Sequence, residues 1–198
     1  MAYATIKRGS SGEGYFALSK ENPPFFISQK QLDAWHLAEG IQLDEEQYLQ
    51  LKALHARDAC MEKAVQYLCM REHTASELSQ KLALKLFPRD VIKATIKRLQ
   101  ERGEQSDERY ARIMIDSRQR RNPEGKVLLV QRLLSKGVAA PLARKLVDEA
   151  FLAHGKEYVR LAWIMASRQC ADRSKCLARM QRKGFSYGEV KRLLSDDD

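Results

Sequence analysis

The chain is poor in the residue patterns from which catalytic and metal chemistry are built. Its four cysteines, Cys60, Cys69, Cys170 and Cys176, form no C-x-x-C pair. None of its four histidines, His36, His55, His73 and His154, stands at a zinc-finger spacing. Those absences exclude the common structural zinc sites and favour free, mostly buried thiols in a reducing compartment. There is no P-loop, no G-x-S-x-G and no H-E-x-x-H. No metal, cofactor or catalytic residue is therefore expected. Long apolar runs are missing as well, which excludes a transmembrane helix, and Lys7-Arg8 is followed by Gly9-Ser10 where a secretory signal would turn apolar. A cytoplasmic location is expected.

What is abundant is positive charge. The 198 residues carry 35 Lys and Arg against 26 Asp and Glu, a formal net charge of +9. The excess is uneven: residues 1–58 have 6 basic and 8 acidic side chains, the rest 29 and 18. An acidic partner, nucleic acid first, suits such a balance.

The first 58 residues read as an extension of their own. Tyr15–Leu18 and Phe25–Ser28 are short apolar strands bounded by Gly12, Gly14, Asn22, Pro23 and Pro24, and Ala2–Lys7 could add a third. Ser28 should cap a short helix through Leu37 that Gly40 stops. Asp44, with Glu45 and Glu46, should open a longer one. No strand is expected beyond that point.

The remainder repeats. Superposing Leu86, Gly137 and Gly184 aligns three segments. Four residues earlier stand Leu82, Leu133 and Met180; one later, Phe87, Val138 and Phe185. Six, nine and ten later come Ile92, Ala143 and Val190, then Thr95, Leu146 and Leu193, then Ile96, Val147 and Leu194. Offsets of six, nine and ten share one helical face. Amphipathic helices containing Met61–Cys69, Ala111–Ile115 and Tyr158–Ala166 precede the three segments. Thr74 with Glu77 reads as a capping box, Ser106 as a cap, and Gly137 and Gly184 as left-handed residues after helices. The expected fold is mainly α: tandem three-helix repeats in an elongated array behind a small N-terminal strand-and-helix extension. The borders fall at 1–58, 59–105, 106–153 and 154–198.

Cations follow the same register. Five before the aligned position stand Lys81, Arg132 and Arg179; one before, Lys85, Lys136 and Lys183; seven after, Lys93, Arg144 and Lys191. Lys175 and Arg182 extend the third-unit stripe, with Arg192 beside Lys191. Arg118, Arg120 and Arg121 lead into Asn122-Pro123-Glu124-Gly125, a loop whose amides could meet phosphates. Cations in last helical turns also complement the helix dipole, so part of this pattern is ordinary solvated surface. A basic row on a row of modules matches an extended polyanion, bound through its backbone and weakened by salt.

The segment Tyr67–Leu82, YLCMREHTASELSQKL, resembles the opening of RecX proteins through Leu68, Arg71, Thr74, Glu77, Leu78, Lys81 and Leu82. Asp107, Glu108, Arg109, Tyr110 and Ala111 are similar to that family's second conserved stretch, and RKGFSYGEVKRLL closes a third unit. The likeness spans about residues 58–195. It departs at Leu86, where the family usually has Gly, and at RRNPEG, where a Gly-rich aromatic loop is common. The resemblance implies tandem three-helix units and a monomer that binds the RecA recombinase filament. Such a protein touches RecA and the backbone of single- and double-stranded DNA and inhibits recombination, ATPase and co-protease activity in DNA repair and the SOS response. A sequence-specific transcriptional regulator built on helix-turn-helix-like units is the main rival, and a plain scaffold the next. Tyr110, placed in an apolar period, reads as core packing before base stacking.

Overall fold

The computed structural model describes residues 3–9, 14–168 and 172–196. Ala2, Gly12 and Cys170, invoked above, lie outside them, as do the side chains of Leu193 and Leu194. Three strands, β1 (Ala4–Arg8), β2 (Tyr15–Ser19) and β3 (Phe25–Ile27), are joined by a fourth, β4 (Gln42–Leu43), in an antiparallel sheet ordered β3-β2-β1-β4. The two-residue β4 was not legible in the sequence, being too short to show alternation.

Period-two alternation turns Ala4, Ile6, Ala17 and Ile27 to one face. There they pack with Leu32, Leu43, Tyr48 and Leu51. Helix α1 (Gln29–Ala34) is capped by Ser28 in a reciprocal box with Gln31. It ends earlier than the sequence suggested: His36 takes φ +53° and Leu37 N–H bonds back to the Leu32 carbonyl. Gly40 does not stop this helix. At φ +83° it turns the chain toward β4 and donates its amide to the Ile6 carbonyl.

Helix α2 (Glu45–Met70) begins at Asp44, in a reciprocal capping box with Gln47. Its first turns, through Tyr48 and Leu51, close the sheet's core; its last turns place Cys60 and Ala64 in the next core. That second core is completed by α3 (Ala75–Ala83) and α4 (Arg89–Glu101), which contribute Leu78, Leu82, Ile92, Ile96 and Leu99. A third core joins α5 (Asp107–Arg121), α6 (Lys126–Ser135) and the first half of α7 (Ala140–Ser167) around Leu129, Leu133, Ala143, Leu146 and Val147. Tyr110 is buried in it, as its apolar period implies. A fourth joins the second half of α7 to α8 (Arg173–Arg182) and α9 (Tyr187–Asp196) around Val159, Ala162, Cys176, Met180, Phe185 and Val190. Each fully buried leucine here contributes about 2 kcal/mol by leaving water.

The borders at 58/59 and 153/154 thus fall inside continuous helices. In α7 not even Gly155 interrupts the spiral, although a mid-helix glycine costs about 1 kcal/mol relative to alanine. Phe151, one turn earlier, packs against the cores on both sides of it.

The aligned turns behave as a repeat. Gly137 and Gly184 have φ +83° and +82°. Each is followed by a residue whose amide reaches back five positions, Val138 to the Leu133 carbonyl and Phe185 to that of Met180. Leu86 adopts the same left-handed conformation, at φ +63°, without being glycine.

Candidate nucleic-acid and protein interface at the module seams

Neighbouring three-helix modules meet in the same way twice. The N-terminus of one module's second helix receives the glycine turn that ends the second helix of the next. At the first seam Thr74, the N-cap of α3, accepts from the Glu77 amide and donates its hydroxyl to the Lys136 carbonyl at 2.6 Å. Gly137 lies against Ser76, with no room for a Cβ: one would fall 2.3 Å from that of Ser76. At the second seam Gly125, the N-cap of α6, donates its amide to the Lys183 carbonyl at 2.7 Å, and Gly184 packs on Gly125 and Leu128. Lys136 and Lys183 occupy equivalent places in the repeat.

Each seam also encloses a carboxylate. Glu77 takes hydrogen bonds from Arg71 and from Lys136 Nζ, and its carboxylate lies 3.3 Å from His73 Nδ1. The reciprocal half of the expected Thr74–Glu77 box is absent, because these partners occupy the Glu77 side chain. Glu124, whose side chain is 4% exposed, is clamped by Arg118 and Arg132. Burial alone would raise the pKa of either carboxyl. The hydrogen bonds and charges of Lys136 and Arg71 at Glu77, and of Arg132 and Arg118 at Glu124, outweigh it and hold both below the usual range. Burial lowers the pKa of His73, helped by the Arg71 charge and opposed by Glu77.

Gln105, almost fully buried, bonds the His73 carbonyl and Asp107, and Asp107 accepts the Ala75 amide. Arg109 spans from Glu72 to the carbonyls of Gly103 and Glu104.

The cations named from sequence divide accordingly. Arg118, Arg132 and Lys136 are engaged with the seam carboxylates, and Arg120 with Asp116. Lys81 lies over the Tyr67 ring at 4.9 Å. Lys85, Arg121, Arg144, Lys175, Arg182, Lys191 and Arg192 are exposed, while Arg179 and Lys183 are half-buried. Lys183 has its pKa lowered first by burial and then by the Arg179 charge; Glu124 opposes this and Arg118 adds to it. The second seam therefore gathers Arg118, Arg132, Arg179 and Lys183 around one carboxylate, an excess of positive charge.

The loop Asn122–Gly125 does not form the anion cradle envisaged from its composition. Its Glu124 amide is spent on Gln119 Oε1 and its Gly125 amide on Lys183. Sequence reasoning passed over Arg89 and Lys97 on α4. Their signal was an i, i+4 spacing through Lys93, hidden because the aligned positions in the other modules are not basic.

A protein assembled from three-helix modules through equivalent turn-on-helix seams is a tandem helical-repeat protein, lined at those seams by basic side chains. The models for the first and second three-helix domains of RecX match residues 60–99 and 106–146. The regulatory protein RecX of Pelodictyon phaeoclathratiforme is 30% identical over 145 residues, 68% of this chain and 91% of that protein. The chain belongs to the RecX family. A crystal structure of regulatory protein RecX aligns over 98% of this chain and all of that one, at TM-score 0.71 and 20% identity. One of RecX from Lactobacillus salivarius covers 72% and 97%, at TM-score 0.61 and 22% identity. These two likenesses concern the fold. No helix among the described residues is long and apolar enough to cross a membrane.

Proposed function

We propose that this protein binds the RecA–DNA filament and restrains RecA's recombinase, ATPase and co-protease activities, acting by binding and not by catalysis. The observation that carries this reading is the repetition of one seam geometry with cations gathered beside it, most densely around Glu124. Modules joined in fixed register can follow a periodic polymer, and basic seams suit its phosphate backbone. Backbone contacts of this kind carry little sequence information, which favours filament binding over operator recognition. Family membership supports the choice of RecA as partner, and a reducing cytoplasm is the compartment where it would act.

The test is an ATPase time course of RecA on single-stranded DNA with and without this protein. Slowed hydrolysis well below one copy per RecA monomer is expected; unaltered hydrolysis at saturating protein overturns the reading. Footprinting on duplex DNA tests the regulator alternative, because protection of one discrete palindrome would favour it.

A further inference from the structure

The first module carries a groove of its own. It lies between α3 and α4 and encloses roughly 550 Å³. One wall is a stripe of small residues at four-residue spacing, Ala75, Ser79 and Ala83; the other is a cationic stripe at the same spacing, Arg89, Lys93 and Lys97. Ile92 and Ile96 form the floor, and no carboxylate lines it. Three, seven and eleven residues after the aligned turn the second module has Ala140, Arg144 and Asp148, and the third Tyr187, Lys191 and Ser195. The triple cation is peculiar to module one. A larger groove beside α7 has a mixed rim, where Lys126 meets Asp148 and Lys145 meets Glu149. Among the described residues, Lys97 is the one cation of the first groove in an ion pair, with Glu101 at 3.8 Å, both side chains being exposed.

The turn joining the two groove helices is also anomalous. Its counterparts are glycine turns docked on a preceding module. Here the turn presents Leu84 and Leu86, 82% and 90% exposed, and Leu86 bears the cost of a left-handed backbone. Exposed apolar surface therefore continues past the end of the groove.

We propose that this groove docks an acidic, apolar-faced helical segment of a protein partner. Small residues on one wall allow close approach of a helix, the isoleucine floor takes its apolar side chains, and Arg89, Lys93 and Lys97 face its carboxylates. Cationic spacing alone would also suit a nucleic-acid strand. The groove, however, has no aromatic side chain in its lining on which bases could stack, and its floor is apolar.

The proposal rests on the filament reading for the partner's identity, so the experiment separates the two. The full chain bearing p-benzoylphenylalanine in place of Ser79 is first assayed, beside the unmodified protein, for inhibition of RecA ATPase. No inhibition by the unmodified protein removes the filament reading and the partner with it. Given inhibition, ultraviolet cross-linking on filaments of labelled single-stranded DNA decides the groove. A cross-link to an acidic segment of the protein partner supports the proposal. A cross-link to DNA, to a second copy of this chain, or to nothing overturns it. The R89E/K93E variant should inhibit at least tenfold more weakly; unchanged inhibition with retained helicity also counts against the groove.

Discussion

The amide of Gly125 donates to the carbonyl of Lys183 across 2.7 Å, although 57 residues of chain lie between them. A Cβ on Gly125 would fall 1.8 Å from the Gly184 carbonyl oxygen, a contact only backbone movement could relieve. Gly125→Ala should therefore part the second seam and cost about 3 kcal/mol or more. Urea denaturation would register this as a lower midpoint, or as a split transition if the third module unfolds first. An unaltered curve would show that the seam is not a fixed contact.

The two seam carboxylates should respond differently to removal of their charge. Glu124→Gln removes the charge of a carboxylate only 4% exposed, leaves Arg118 and Arg132 facing a neutral amide and should lose about 3 kcal/mol. Glu77→Gln should lose less, because the Glu77 side chain, 14% exposed, is nearer to water than that of Glu124. Equal losses in thermal or urea melts would contradict the difference in burial.

Acid should weaken the fold in two stages. His73 titrates below its ordinary value of 6.5 when folded, so its contribution is complete above that pH and declines as pH falls below it. Glu77 and Glu124 are held below their ordinary value of 4.5; their contribution is present above it and lost as pH falls through the lower folded values. Melting temperature recorded from pH 8 to 3 should show both declines. His73→Asn should flatten the upper one and Glu124→Gln the lower, and curves parallel to the parent's would refute the assignment.

Leu86→Gly offers the opposite sign. Relief of the left-handed backbone is worth about 1–2 kcal/mol, offset by about 0.5–1 kcal/mol of extra freedom in the unfolded chain. A net gain of about 1 kcal/mol, or roughly 2–4 °C in Tm, is expected. A loss would mean that the exposed leucine makes contacts in solution that its 90% exposure argues against.

The cation columns should separate into stabilising and binding members. Arg132→Ala should lower stability, since it strips Glu124 of a partner. Charge reversal at Lys175 and Arg182, both exposed on α8, should leave the melt nearly unchanged, weaken DNA binding and flatten its dependence on salt. If the charge-reversed protein bound DNA like the parent, this stripe on α8 would be no more than solvated surface.

The repeat was legible because apolar spacing records burial directly. Leu82, Leu133 and Met180 align in sequence and are all fully buried. The turn glycines were legible for an equally local reason, the backbone conformation they permit. The tasks of the cations were not, since an exposed arginine and one clamped to a buried glutamate look alike until the fold sets Glu124 between Arg118 and Arg132. The helices crossing 58/59 and 153/154 were missed for a related reason. A change of apolar face along one helix reads as two helices when the partner cores are unknown.

Helix α7, with 28 residues, is about 42 Å long, and its two ends are built into different cores. It is a common axle for two modules, which no linker separates. The last two modules therefore share one continuous piece of the fold, and neither can be cut away without leaving the other an unpaired half of that rod.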